Sequence, residues 1–213
     1  MQINLHSHTT YSDGADSVAV MAMEAQKLGH SAYVVTDHVN PSYLNAMSGY
    51  LNWHTFSKQR KEINSFRRYT NFPIIQGIEL NLEHEEVLVF GYELIKPVLD
   101  YPFYAMTKKE ALDTLIENKK HGAVVLCHPR LDLTFAPEFY AKLFPILDGY
   151  EHFNHGNNYF EHREVPKELQ ELNDFSNSDA HCYKQLALPY GTNEHNKAIK
   201  NDGDIVKFIK RGY

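Results

Sequence analysis

Two spacings of hydrophobic residues alternate along the chain. Short apolar runs read as buried strands: "INL" near the start, then "AYVVTDH", "PIIQGIEL", "EVLVFGY" and "AVVLCH", followed by the less apolar "GYEHF" and "DFSNSDAH". Between them lie stretches with apolar residues three and four apart, the mark of a helix with one buried face. In "DSVAVMAMEAQKLG", Val18, Met21, Ala22, Ala25 and Leu28 recur at that spacing; Asp16 or Ser17 can cap the first turn and Gly29 can end it. "WHTFSKQRKEINSFRRY" is a longer polar helix with Phe56, Ile63 and Phe66 inward. "TKKEALDTLIENKKHG" opens with a capping box, Thr107 with Glu110, and turns Leu112, Leu115 and Ile116 inward. "APEFYAKLFPIL" predicts a helix ending near Pro145, "VPKELQEL" a short one from Pro166, and "DGDIVKFIKR" a closing one. Strand then helix, about seven times, predicts an α/β chain with a parallel sheet. So many units fit a closed or nearly closed barrel better than an open doubly wound sheet, although the open sheet gives a similar string.

Composition narrows the class. A chain of 213 residues with 43% hydrophobic content is long enough for a full core and is expected to form a single domain over 1–213. The formal net charge of -6, without a basic stripe, does not favour broad attraction to nucleic acid. Cys127 and Cys182 form neither a CxxC pair nor a disulfide framework. No run approaches the roughly 18 apolar residues of a membrane span, and the start lacks the pattern of a signal peptide. A cytoplasmic, reducing setting without a membrane partner is therefore expected. The unusual count is 13 histidines.

Those histidines fall where strands should stop. His6 and His8 follow the first strand, with Asp13 soon after. His38 follows the second, Glu79 ends the third, His128 ends the fifth, and Asp179 and His181 follow the last. In a parallel α/β barrel these ends share one face, where active sites are assembled from several strands. Residues i and i+2 on extended backbone point the same way, so His6 and His8 can grip one ion, and Asp179 and His181 repeat the spacing. Unrelated histidines would not all select the same end of successive strands, so the set predicts a metal site. His30, His54, His121, His162 and His195 read as solvated; His84, His152 and His155 lie near strand ends and are assigned to neither group.

"HSHTTYSDG", "VVTDH", "GIEL", "CHPR" and "SNSDAH" resemble, in order, the motifs of the PHP (polymerase and histidinol phosphatase) superfamily. The resemblance spans residues 1 to about 185 and implies a distorted seven-stranded (β/α) TIM-like barrel. It also implies two or three divalent ions (Zn, Mn or Fe) and phosphoester hydrolysis. By that resemblance His6, His8, Glu79 and Asp179 hold one ion. Glu79 bridges to a second ion that His128 also holds, and Asp13, His38 and His181 hold a third. Imidazole and carboxylate donors suit Zn, Mn and Fe, and a carboxylate can bridge two ions where an imidazole cannot. A metal pair about 3.5–4 Å apart offsets phosphate charge and supplies hydroxide near neutral pH for in-line attack. Arg130, in "CHPR", carries a charge that can meet a phosphate oxygen, and a metal-bound water or Asp13 is the first choice for protonating the leaving oxygen.

The leading expectation is a phosphomonoesterase for a small phosphorylated metabolite. Relatives that degrade oligonucleotides often carry an added helical segment between the GxE and HP motifs, and here that interval is only Leu80 to Cys127. A nuclease or phosphodiesterase acting on oligonucleotide or nucleotide ends is the second reading. A non-catalytic metal-bound accessory domain is the third, and amidohydrolase-type C–N hydrolysis is disfavoured by the TDH and SDAH motifs. The aromatic loop "NPSYLNAMSGYLNWH" is a candidate lid over the site or an ordinary loop packing on the barrel rim, and "HGNNYFEHR" is a second candidate rim loop. One departure from the family stands out: many relatives have a histidine three residues before the glycine of "EVLVFGY", where this chain has Leu88. The second ion would then be held only by Glu79 and His128, with water, phosphate, His84 or His155 completing it, and would be lost first.

Overall fold

The computed structural model describes residues 1–43, 49–100, 106–129, 136–155, 166–187 and 191–211. The elements are β1 (Gln2–Ile3), α1 (Val18–Lys27), β2 (Tyr33–Val35), β3 (His38–Val39), α2 (Trp53–Thr70), β4 (Ile74–Asn81), β5 (Glu86–Phe90), α3 (Tyr92–Leu99), α4 (Lys108–Asn118), β6 (Ala123–Leu126), α5 (Pro137–Leu143), β7 (Gly149–Asn154), β8 (Asn173–Asn177), α6 (Tyr183–Leu186), β9 (Asn193–Glu194) and α7 (Asp202–Arg211). Helix starts follow the sequence signals. Ser17 caps α1 by accepting from the Val20 amide, and Thr107 and Glu110 close a reciprocal box at α4.

One curled sheet runs β2-β4-β5-β6-β7-β8, with β3 continuing the pairing of β2 along β4. The distorted seven-stranded (β/α) barrel expected is met in part: the strands form one curled α/β sheet, but that sheet is not parallel throughout. β5 is antiparallel to both β4 and β6, because only residues 82–85 join β4 to β5 and a parallel partner needs a crossover of a dozen residues or more. The first strand also does not join the sheet as a ladder: β1 pairs antiparallel with β9. Residues 4–8 instead lie between β2 and the end of β8, held in part by side chains. The Asn177 Oδ1 accepts from the Leu5 amide, Asn4 Oδ1 from the Ser178 amide, and Thr36 Oγ1 from the Ser7 amide, beside single main-chain bonds from Thr36 to Ser7 and from His8 to Ala180.

The pleat divides the apolar residues into two layers. Ile75, Leu88, Phe90, Val125, Cys127 and Phe175 face the concave side with Leu5 and Val34, and α7 covers that side with Ile205, Phe208 and Ile209. Ile78, Leu80, Val87, Val89, Val124 and Leu126 face the other way, against α3, α4 and α5. α1 and α2 cover Tyr33, Val35 and Ile74.

Residues 167–171 form successive turns rather than a helix, and α3 was not anticipated because Pro97 interrupts its pattern. His30 and His195 are buried, not solvated; the His195 ring lies 2.6 Å from the Ser31 hydroxyl and 2.7 Å from the Lys197 carbonyl. Among the described residues no helix is long and apolar enough to cross a membrane.

Candidate metal centre

The end of the sheet where the parallel strands finish, and where β5 begins, carries the imidazoles and carboxylates. Ser7 turns toward β2, donating its hydroxyl to the Val34 carbonyl at 2.6 Å, so that His6 and His8 share the opposite face with ring centres 5.1 Å apart. Glu79 is the hub. Its Oε2 lies 2.7 Å from His38 Nδ1 and 3.3 Å from Nε2 of both His6 and His8, and its Oε1 lies 3.1 Å from His128 Nε2. Asp179 Oδ1 lies 3.0 Å from His8 Nε2 and 3.3 Å from His6 Nε2. Asp13 reaches in from the rim, 3.4 Å from His181 Nε2 and 3.6 Å from His38 Nε2. All eight residues singled out as metal-type therefore converge. Their donor atoms form overlapping groups, each within 4.8 Å: His6, His8 and Asp179; His6, Glu79, Cys127 and His128; His8, Asp13, His38 and His181. Arg130 lies outside the described residues, as does part of both aromatic loops. Of the loop aromatics, Tyr50 comes to 6.5 Å from the His38 ring, whereas Trp53 packs on Phe56 and Tyr92.

The backbone is bent to make this convergence. Among the described residues three non-glycine positions have left-handed φ, and two are in the site: His128 at 22° and Asp179 at 51°. Such conformations cost about 1–3 kcal/mol each and persist where the surroundings enforce them. Gly14 is required by contact: a Cβ there would sit 2.6 Å from the His8 carbonyl carbon and the Thr9 nitrogen.

Two buried acids that the sequence reading did not select hold the site in place. Asp37 accepts from the Thr9 amide and hydroxyl, both at 2.6 Å, and from Ser12 Oγ and Gln59 Nε2, both at 2.5 Å, which pins the loop that follows His8. Glu151, on β7, accepts from His6 Nδ1 at 2.8 Å, the strained His128 amide at 2.8 Å, Asn154 Nδ2 at 2.8 Å and Asn177 Nδ2 at 2.9 Å. With Nδ1–H committed to Glu151, His6 directs Nε2 at Glu79 and Asp179. His181 is fixed similarly, its Nδ1 lying 2.9 Å from the Asp179 carbonyl.

The residues fit a cation. His6 Nε2 and Glu79 Oε2 are buried and neither makes a hydrogen bond of adequate geometry, although they lie 3.3 Å apart. More than about 90% of buried polar atoms find a partner, and two lone pairs aimed into one space are satisfied by a metal ion.

Without a metal, protons serve that purpose. Burial pushes the His38 and His128 imidazoles down, but the Glu79 carboxylate beside each outweighs it, and both rise to about 9. Asp13, hydrogen-bonded by His181, falls to about 2, and Asp179 is held low by His6 and His8 despite its burial. Histidines raised above their ordinary 6.5 contribute stability that is complete below pH 6.5 and is lost as pH rises through about 9. The metal-free protein should therefore melt at progressively lower temperature between pH 6.5 and 9. Metal uptake at pH 7 should release protons, with apparent affinity rising toward pH 9. Calorimetry in buffers of different ionisation enthalpy checks this; an enthalpy independent of buffer would contradict it.

The PHP domain family matches residues 4–176, and the chain belongs to that family. Over 137 residues it is 28% identical to the DNA polymerase/3'-5' exonuclease PolX of Bacillus subtilis, covering 59% of this chain and 23% of that protein. A two-domain protein of Bacteroides vulgatus, described as containing a predicted PHP-like metal-dependent phosphoesterase, superposes with a TM-score of 0.57 at 22% identity, over 87% of this chain and 53% of its own. PsfC of Pseudomonas syringae superposes with a TM-score of 0.60 at 15% identity, over 96% of this chain and 87% of its own. The chain thus spans about a quarter of PolX and about half of the two-domain protein.

Proposed function

We propose that the chain is a metal-dependent phosphoesterase, a single domain that hydrolyses a monoester of a small phosphorylated metabolite in a reducing, cytoplasmic setting. The observation that carries the hydrolase reading is the convergence of four histidines and a glutamate around His6 Nε2 and Glu79 Oε2, buried atoms that make no hydrogen bond of adequate geometry. His6, His8, Glu79 and Asp179 would hold one ion, Glu79 and His128 a second, and Asp13, His38 and His181 a third, with Zn, Mn or Fe matching the donors. Such ions supply positive charge to offset the phosphate and acidify a water to act as nucleophile. The chain's own residues set the geometry: Glu151 and the Asp179 carbonyl fix the His6 and His181 rings, and Asp37 fixes the loop carrying Asp13. Asp13 acts as an anionic ligand, because a carboxyl held at about 2 has no proton to give near neutral pH. Arg130 is proposed to meet a phosphate oxygen.

The preference for a small monoester rests on charge. A cavity of about 180 Å³ beside His128 is lined by Glu83, Glu85 and Glu86, with Lys108 the one Lys or Arg among its described lining residues. A polyanion needs cations along its track; a single phosphate can be held by the metals. p-Nitrophenyl phosphate should therefore turn over faster than the bis ester or short DNA and RNA. Asp179→Ala, His38→Ala and Asp13→Ala should each remove turnover while leaving the fold. Turnover on oligomers alone would overturn the monoester assignment in favour of nuclease action on chain ends. That second reading is supported by the similarity to PolX, whose name includes 3'-5' exonuclease activity.

A further inference from the structure

Leu88 does leave the second ion short of a ligand. It is fully buried in the concave layer and stands directly opposite Glu79 in the β4–β5 ladder, so it shares the inward face with that carboxylate and offers it nothing. Neither proposed substitute is among the donor groups: the His84 ring packs edge-on against Phe139, and His155 lies beside Phe153. The pleat points elsewhere. Glu86 is two residues before Leu88 on β5, hence on the same face, one rung nearer the end of the sheet where the ligands gather.

From this placement, and resting on the metal-centre reading above, we propose that Glu86 is the third protein ligand of the second ion, replacing the missing histidine. Its Oε2 lies 3.7 Å from His128 Nε2, and its donor atoms fall within 4.8 Å of those of His38 and Glu79. The other oxygen is already held. Asn81, the cross-strand partner of Glu86 in the ladder, donates Nδ2 to Oε1 at 2.6 Å. The Asn81 amide thus orients the carboxylate with Oε2 facing His128, the arrangement by which an outer partner aims a ligand. A carboxylate reaches from one rung further away than an imidazole at position 88 would need to, which accounts for a ligand shift of two residues along the same face. It also changes the site's charge: Glu79, Glu86 and neutral His128 give the second ion two anionic donors in place of one.

Cys127 is the competing donor, since its sulfur lies within the group formed by His6, Glu79 and His128. It is fully buried in the apolar layer with Leu88 and Val125.

The test is metal binding, read without turnover. Wild type, Glu86→Gln, Leu88→His, the Glu86→Gln/Leu88→His double variant and Cys127→Ser are stripped and titrated with Mn, and the retained ions are counted by elemental analysis after gel filtration. Wild type should retain one more ion than Glu86→Gln, whose weakest site should bind about 10–100-fold less tightly. Leu88→His should restore the ion in the double variant, and Cys127→Ser should retain as many ions as wild type. Cobalt in place of manganese should give no thiolate charge-transfer band. Equal retention and affinity in wild type and Glu86→Gln would overturn the proposal while leaving the metal centre standing, as would loss of an ion in Cys127→Ser together with a thiolate band in wild type. A wild-type protein that binds no divalent ion would overturn both.

Discussion

Glu79→Gln should abolish phosphoesterase turnover, with a loss of at least about 100-fold, and strip the protein of its most tightly held ions. Substitutions in the outer shell of a metal site already cost about 10–100-fold, and Glu79 lies inside that shell, within 3.3 Å of four histidines. The amide keeps the volume of the carboxylate, so the buried position is not emptied. It removes the anion that raises His38 and His128, which then return toward neutral imidazoles instead of remaining as unpaired buried cations. The fold should survive for that reason, and the drop in metal-free melting temperature between pH 6.5 and 9 should flatten in the variant. Circular dichroism, elemental analysis and p-nitrophenyl phosphate turnover on the same preparation separate the effects. Retained turnover with a full complement of ions would mean that Glu79 is not the hub of the centre.

What the sequence disclosed about this site, and what it hid, follows from range. The convergence of the eight metal-type residues was legible because most of them stand where strands end, and strand ends are marked locally by a change from apolar to polar residues. The direction of β5 was also encoded, in the four residues 82–85, which are too few for a crossover; the recurrence of strand and helix elsewhere obscured it. The N-terminal segment reads as an ordinary strand because substitution of ladder bonds by Asn4, Thr36 and Asn177 side chains depends on residues up to 174 positions away. Glu86 was hidden by an expectation of histidine at position 88, although the two share a face. Glu151 had a local signal: a charge inside "GYEHF", in phase with the inward Gly149, where a buried strand should carry an apolar residue. Only the positions of His6, Asn177 and the His128 amide reveal what that charge is for.

Glu151→Ala is expected to produce the largest loss of stability of any substitution at the site. The carboxylate is fully buried and accepts from four donors, and its charge is set against His6 and His128. Removing one partner from a buried, hydrogen-bonded ion pair costs about 3–5 kcal/mol, roughly 10 °C in melting temperature for a domain of this size. The His128 backbone adds to the effect. Its φ of 22° is held by the hydrogen bond that its backbone N–H donates to Glu151 Oε2, and with that acceptor gone the residue can relax out of the left-handed region and carry its imidazole away from Glu79. Glu151→Gln separates the two contributions. It preserves the volume and one acceptor oxygen, but its NH₂ must face either the Asn177 amide or the His128 amide, and it no longer favours a His6 ring that donates from Nδ1. Glu151→Gln should accordingly lose less stability than Glu151→Ala yet bind metal about 10–100-fold more weakly than wild type. Thermal melts of metal-free protein and Mn titrations of both variants test this. Wild-type melting and affinity in Glu151→Ala would show that the sheet alone, without the carboxylate, positions His6 and His128.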